Sequence, residues 1–171
     1  HIISTKPLSL SILRTLILQG SKLKLSDEVI KKIQECRDYL DQKIANTTDP
    51  IYGINTGFGS LCDVRIHSEN LTKLQENLVR SHACGTGDLV PKSIIKLMLL
   101  LKIKSLSYGH SGIQLETVNR LILFYNNDIL PVIYTQGSLG ASGDLAPLAH
   151  MALPLIGEGK VWYKGVQTTS S

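Results

Sequence analysis

The sequence is poor in several features, and each shortage excludes something. Only three of the 171 residues are cysteine (Cys36, Cys62 and Cys84), and no two form a C-x-x-C pair. So sparse and odd a count argues against a disulfide scaffold and for a reducing compartment, read here as the cytoplasm. Long hydrophobic runs are missing as well. No stretch approaches the ~20 apolar residues of a membrane-spanning helix. The longest charge-free candidate, Leu145 to Gly157, is broken by Pro147, His150 and Pro154. Neither sign of charge dominates: 18 Lys plus Arg against 14 Asp plus Glu leave a formal charge of +4. The lysines come in scattered pairs (Lys22 and Lys24, Lys31 and Lys32, Lys102 and Lys104), without the dense cluster of a basic nucleic-acid binder. The stretch after His1 does not show the charged-then-apolar pattern of a signal peptide, and the sequence does not begin with Met. The abrupt ends at His1 and Ser171 lead to the expectation of a truncated chain.

The motifs of several enzyme classes are absent too. The glycines between Tyr52 and Gly59 have no Lys-Ser/Thr after them and no clear strand before them, so they make neither a P-loop nor a dinucleotide fingerprint. His67, His82, His110 and His150 have no H-x-x-x-H or H-E-x-x-H spacing, and no metal site is expected. The G-x-S-x-G elbow of a serine hydrolase does not occur.

What is present is mostly helical periodicity. Forty-three per cent hydrophobic residues suffice for a core and exclude a disordered chain. Val29, Ile30, Ile33, Cys36, Leu40 and Ile44 form one stripe, with Ser26 as N-cap and Asp27 and Glu28 in the first turn. A short helix is expected over Leu8 to Leu18. Another starts near Ser68, with the stripe Leu71, Leu74, Leu78 and His82, and ends at Gly85 and Gly87. A helix after Pro91 carries so many apolar residues, Ile94 to Ile103, that it should be central and nearly buried. A fourth bears Leu115, Val118, Leu121, Ile122 and Tyr125. A fifth opens near Ser142, with Pro147 close to its start and Pro154 as its kink or stop. Extended structure should be minor, the best strand being Lys160 to Tyr163 with a Lys164-Gly165 turn.

Two glycine-rich loops interrupt these helices: Tyr52 to Gly59, and Gly137 to Asp144. They admit tight turning or close approach of backbone to a ligand. In the second, Ala141-Ser142-Gly143 also permits backbone chemistry. The Gly143 nitrogen, unhindered by a Cβ, can attack the Ala141 carbonyl carbon. Loss of that oxygen as water, and of the Ser142 hydroxyl as a second water, leaves a five-membered ring with a methylidene carbon. No ordinary side chain supplies so strong an electrophile. The triplet alone is common and reads equally as a helix N-terminus with a Ser cap.

Its context is more specific. The run from Gly137 to His150, G-S-L-G-A-S-G-D-L-A-P-L-A-H, resembles the signature of the aromatic amino acid ammonia-lyases, which build a methylidene-imidazolone group from this triplet. Tyr52-Gly53-Ile54-Asn55-Thr56-Gly57-Phe58-Gly59 is similar to the tyrosine loop of that family. The segment from Asn77 to Gly87 is similar to the one beside the substrate ring. The likeness spans nearly the whole chain and leans towards the histidine-specific members.

The resemblance implies a mainly α fold, the N-terminal portion of the aspartase/fumarase-like helical ammonia-lyase fold, with a minor β hairpin near the C-terminus. Residues 1–171 would form the active-site domain and stop before the long helical bundle. It implies that L-histidine is converted to trans-urocanate and ammonia, a step of histidine catabolism. The electrophile would come from Ala141, Ser142 and Gly143, with Asp144 helping the ring to form and no diffusible cofactor. Tyr52 fits the base that takes the β-proton, on a loop that moves as a lid. A phenol has a reference pKa of about 10, so this role needs a strong local field. His82 should face inward, where a neutral imidazole suits an imidazole substrate, and Asn55 would line the same pocket. His110 and His150 are read as structural. The family's further site residues and tetramer-forming helices lie past Ser171, so the whole protein should be a homotetramer and this chain alone nearly inactive. Tyrosine or phenylalanine lyase or aminomutase activity, or an inert fragment, are the alternatives. Neither a nucleic acid nor a membrane is an expected partner.

Overall fold

The computed structural model describes residues 1–47, 49–57, 64–66, 68–137 and 145–170. Helices dominate them, as the periodicity predicts: α1 (Leu10–Leu18), α2 (Asp27–Asn46), α3 (Leu71–His82), α4 (Lys92–Leu106), α5 (Leu115–Asn126) and α6 (Leu145–Ala152). Short 3-10 turns, Ser68–Asn70 and Leu153–Ile156, precede α3 and follow α6. None of these helices is long and apolar enough to cross a membrane.

Local chemistry explains the helix starts. Ser26 is extended, and its hydroxyl accepts from the Val29 amide, as its position before Asp27 and Glu28 foretells. Ser9 caps α1 in the same way, which moves its start two residues past Leu8. Pro147 is the third residue of α6, where a missing N–H costs nothing. Pro154 ends the α-helix as expected, α6 giving way to a 3-10 turn after Ala152. It enters the 3-10 turn at its first positions, and Gly157, with φ +78°, supplies the stop. Helix α3 ends not on a glycine but at His82. Ala83 closes it, its amide bonded to Val79 and Arg80 carbonyls.

The core forms where α4 packs on α5 and on the N-terminal elements. Ile95, Leu99, Leu100 and Ile103 of α4 meet Val118, Leu121 and Tyr125 of α5, with Ile3, Leu25, Val29 and Ile33 from the start of the chain. Each such side chain contributes about 1.5–3 kcal/mol by leaving water. The expectation of a nearly buried α4 needs correcting. Ile94 is 47% and Leu101 45% exposed. They lie seven residues apart, on one stripe of the helix, and that stripe is open to solvent.

Extended structure is more widespread than the sequence suggests. Strand β1 (Ile2–Ile3) pairs in parallel with β2 (Lys24–Leu25). Strand β3 (Thr86–Leu89) runs antiparallel to β5 (Tyr134–Gln136). Strand β4 (Leu130–Pro131) joins the hairpin of β6 (Lys160–Tyr163) and β7 (Val166–Thr169). That hairpin is the one expected, and its turn residues Lys164 and Gly165 both have positive φ, as a two-residue hairpin requires. The other strands have two to four residues, too few for an alternating pattern to register.

Candidate active site

The first glycine-rich segment is a compact turn tied down from beneath. Asn55 is 3% exposed, and its amide is engaged at both ends. Oδ1 accepts from the Ile51 amide at 2.6 Å, and Nδ2 donates to the Asp49 carbonyl at 3.1 Å. The Asn55 carbonyl accepts from Ile66, and the Gly53 amide donates to the buried Thr56 hydroxyl. Gly53 has φ +72°, a conformation that favours glycine. These bonds leave Tyr52 at the crest, 61% exposed. Gln75 of α3 donates to the Ile54 carbonyl and joins the turn to that helix. His82 follows seven residues later on α3, roughly 10 Å along its axis. Asn55 therefore supports the Tyr52 turn, and it also borders a cleft shared with Asp41, Ile44, Arg65 and Leu71.

His82 is half-buried at the last residue of α3. Its Nδ1 lies 2.7 Å from the Leu78 carbonyl, a bond that requires the proton on Nδ1. In the neutral ring this makes Nε2 the acceptor. Leu71, Leu74 and Leu78 are half-buried as well, because α3 packs mainly on α6 and the turn after it. Arg80 holds this arrangement on the outer side. It bonds Glu76 of its own helix and Glu158 beyond the 3-10 turn, at 2.9 and 2.7 Å.

Ala141, Ser142, Gly143 and Asp144 lie outside the described residues, but both flanks of their loop are placed. On one side, β5 ends at Gln136 and Gly137 follows with φ +130°. A Cβ on Gly137 would come within 2.7 Å of the Gly85 Cα and 3.0 Å of the Cys84 carbonyl oxygen. Only glycine allows this approach. On the other side, α6 runs from Leu145 and packs on α3. Pairing of β3 with β5 thus brings the chain after His82 against the chain entering the triplet loop. Bare backbone at the entry, a Ser between Ala and Gly, and a helix directly after the loop all fit a methylidene-imidazolone formed from residues 141–143.

His150, read from sequence as structural, sits at this junction. Its Nε2 accepts from the Gly85 amide at 2.9 Å, and its ring meets Tyr134 of β5 edge-on, centroids 5.1 Å apart. Burial holds its pKa below the ordinary 6.5. His110 lies elsewhere, in a cleft with Cys36, Lys32 and Glu35. No three His, Cys, Asp or Glu side chains among the described residues are grouped to hold a metal ion. The junction of Cys84, Gly85, Gly137 and His150 could not be read from the sequence, since its members lie up to 66 positions apart.

Comparison with known proteins agrees with this geometry. The sequence pattern of aromatic amino acid lyases matches residues 8–171. A histidine ammonia-lyase of Staphylococcus aureus is 45% identical over 163 residues, which are 95% of this chain and 32% of that protein. The chain therefore spans about a third of the length of the curated relatives it matches. Among solved structures, the ergothioneine-degrading ergothionase of Treponema denticola superposes with a TM-score of 0.93 at 30% identity, covering 99% of this chain and 34% of that one. The histidine ammonia-lyase of Trypanosoma cruzi gives 0.85 at 35% identity, covering 99% and 33%. The phenylalanine aminomutase of Pantoea agglomerans gives 0.91 at 32% identity, covering 98% and 32%. With the family's pattern matched from residue 8 to residue 171 and the helical framework shared with these structures, the chain belongs to the aromatic amino acid lyase family.

Proposed function

We propose that this chain supplies the electrophile-bearing part of a histidine ammonia-lyase, which eliminates ammonia from L-histidine to give trans-urocanate. The observation that carries this reading is the junction after His82. It places the entry to the Ala141-Ser142-Gly143 loop against the end of the helix that bears an imidazole. The 45% identity to a histidine ammonia-lyase supports histidine as the substrate.

In forming the ring, a bond joins the Gly143 nitrogen to the Ala141 carbonyl carbon. The carbonyl oxygen leaves as one water, and the Ser142 hydroxyl leaves with its Cα hydrogen as the second. When present, the group supplies an electrophilic carbon that makes the substrate's amine a leaving group. Asp144, next to the triplet, assists ring closure. The remaining work falls to side chains. The β-proton of histidine is not acidic, and Tyr52, raised on its turn, is the base that takes it. His82, with its proton on Nδ1, offers Nε2 to the N–H of the substrate imidazole. Asn55 contributes to the substrate pocket by holding the turn beneath Tyr52. Elimination is non-oxidative: the Cβ–H electrons form the double bond as the C–N bond breaks.

The whole enzyme is a homotetramer in this proposal, with further site residues outside these 171, and the chain is its N-terminal active-site portion. The test is a substrate panel on the whole protein. Histidine should be deaminated with growth of urocanate absorbance, and tyrosine and phenylalanine should react far more slowly. Likeness to a phenylalanine aminomutase favours one rival. A faster reaction on phenylalanine or tyrosine, or β-amino acid as product, would establish that rival instead.

A further inference from the structure

We propose that His150 is a positioning residue for ring formation: by accepting from the Gly85 amide it clamps both flanks of the triplet loop onto the corner that follows His82. This rests on the lyase reading above. Ring closure joins the Gly143 nitrogen to the Ala141 carbonyl carbon, and it is favoured when the segments that enter and leave the loop, at Gly137 and α6, are held in place. The structure ties Gly137 directly, and α6 through His150, to one residue, Gly85.

The entry flank meets Gly85 by backbone contact. Gly137 approaches so closely that a Cβ would fall 2.7 Å from the Gly85 Cα, and the Cys84 thiol points to the Gly137 carbonyl at 3.6 Å. The exit flank meets Gly85 through a side chain. His150 is in the second turn of α6, five residues after Leu145, and its Nε2 lies 2.9 Å from the Gly85 nitrogen. The fit is close, since a Cβ on Gly85 would come 2.8 Å from that same Nε2 and 3.2 Å from the Tyr134 Cβ. Tyr134 closes the set. It lies on β5, three residues before Gly137, and its ring packs edge-on against His150. One imidazole thus touches the strand that leads into the loop, the helix that leads out of it, and the corner after His82.

Phenylalanine in its place would keep the volume and the Tyr134 contact but leave the Gly85 N–H without its acceptor. Glutamine reaches about as far as Nε2 and can accept. Asparagine is equally polar but too short. The three variants are made in the whole protein. Mass spectrometry of the peptide spanning residues 141–143 reads the loss of two waters, and hydrogen exchange reads the Gly85 amide.

His150→Phe and His150→Asn should retain the helical circular dichroism of the parent and lose most of the doubly dehydrated species. Gly85 exchange should rise about tenfold or more, the scale of one lost buried hydrogen bond. His150→Gln should restore both. If His150→Phe fails to fold, the comparison of Asn with Gln decides. Full dehydration in His150→Asn with unchanged Gly85 exchange would overturn the clamp while the lyase reading stands. A parent protein that is never dehydrated would remove the lyase reading and the proposal together.

Discussion

Tyr52 is poised by residues that do not share its chemistry. Asn55, Thr56 and Ile66 hold the turn, and the phenol projects from it. Because Tyr52 is 61% exposed, removing its hydroxyl should not disturb the core. In the whole protein, Tyr52→Phe should lower turnover by about 10²–10⁴, the usual contribution of a positioned general base. Circular dichroism and the melting temperature should stay as they were. Turnover within a few-fold of the parent would remove Tyr52 from the reaction. Lys104 shows how residue type can mislead. It is one of the scattered sequence pairs, with Lys102, yet it is buried. Its Nζ donates to the Ser4 carbonyl at 2.6 Å, packs over the Tyr108 ring, and lies 3.4 Å from the Ser107 hydroxyl.

Among the helices, α2 and α5 make opposite predictions. The Ser26 hydroxyl satisfies one of the amides left open at the start of α2. Ser26→Ala should therefore cost ~1 kcal/mol, seen as a lower denaturation midpoint with unchanged slope. An unchanged midpoint would mean that water caps this helix equally well. Tyr125 on α5 is fully buried, and its hydroxyl has no hydrogen-bond partner among the described residues. An unsatisfied buried hydroxyl costs about 1–3 kcal/mol. Tyr125→Phe keeps the ring, its core contacts and the neighbouring Lys96 ammonium 5.1 Å from the ring centre. It should be neutral or stabilising by thermal melting, and a clear loss of stability would show that the hydroxyl has a partner.

At the scale of the molecule, buried or paired groups shape the response to pH, and His150, Glu158 and Tyr125 are among those described. His150 binds its proton less readily folded than unfolded, because burial disfavours the imidazolium. Below about 6.5 the unfolded chain takes up a proton that the folded chain resists, so stability falls as pH drops from there. Glu158 is held below the ordinary 4.5 by its bond to exposed Arg80, and adds a small, salt-screened loss as pH falls through its lowered value. Tyr125 works at the other end. Burial raises its pKa above 10, so stability falls as pH rises past 10, where only the unfolded phenol ionises. Denaturation midpoints should therefore decline from neutrality towards pH 5, and His150→Gln should flatten that limb. An equal decline in His150→Gln would assign it to other groups.

How much of this was legible beforehand follows from the range of each interaction. The Ser26 cap, the stripes of α2 to α5 and the Lys160–Tyr163 hairpin depend on neighbours within a few residues, and the sequence carries them openly. The resemblance of Tyr52 to Gly59, Asn77 to Gly87 and Gly137 to His150 to known lyase segments pointed to a candidate site as well. What it could not show is which atoms meet. The amide of Asn55 turns under its own loop, one apolar stripe of α4 stays open to solvent, and His150 reaches Gly85 across 65 positions. Local propensity and motif chemistry thus determined the helices and the candidate electrophile. Only tertiary packing decided that a β3–β5 pairing and a single imidazole bring the triplet's flanks to the end of α3, because such contacts form between surfaces that exist only once the chain has folded.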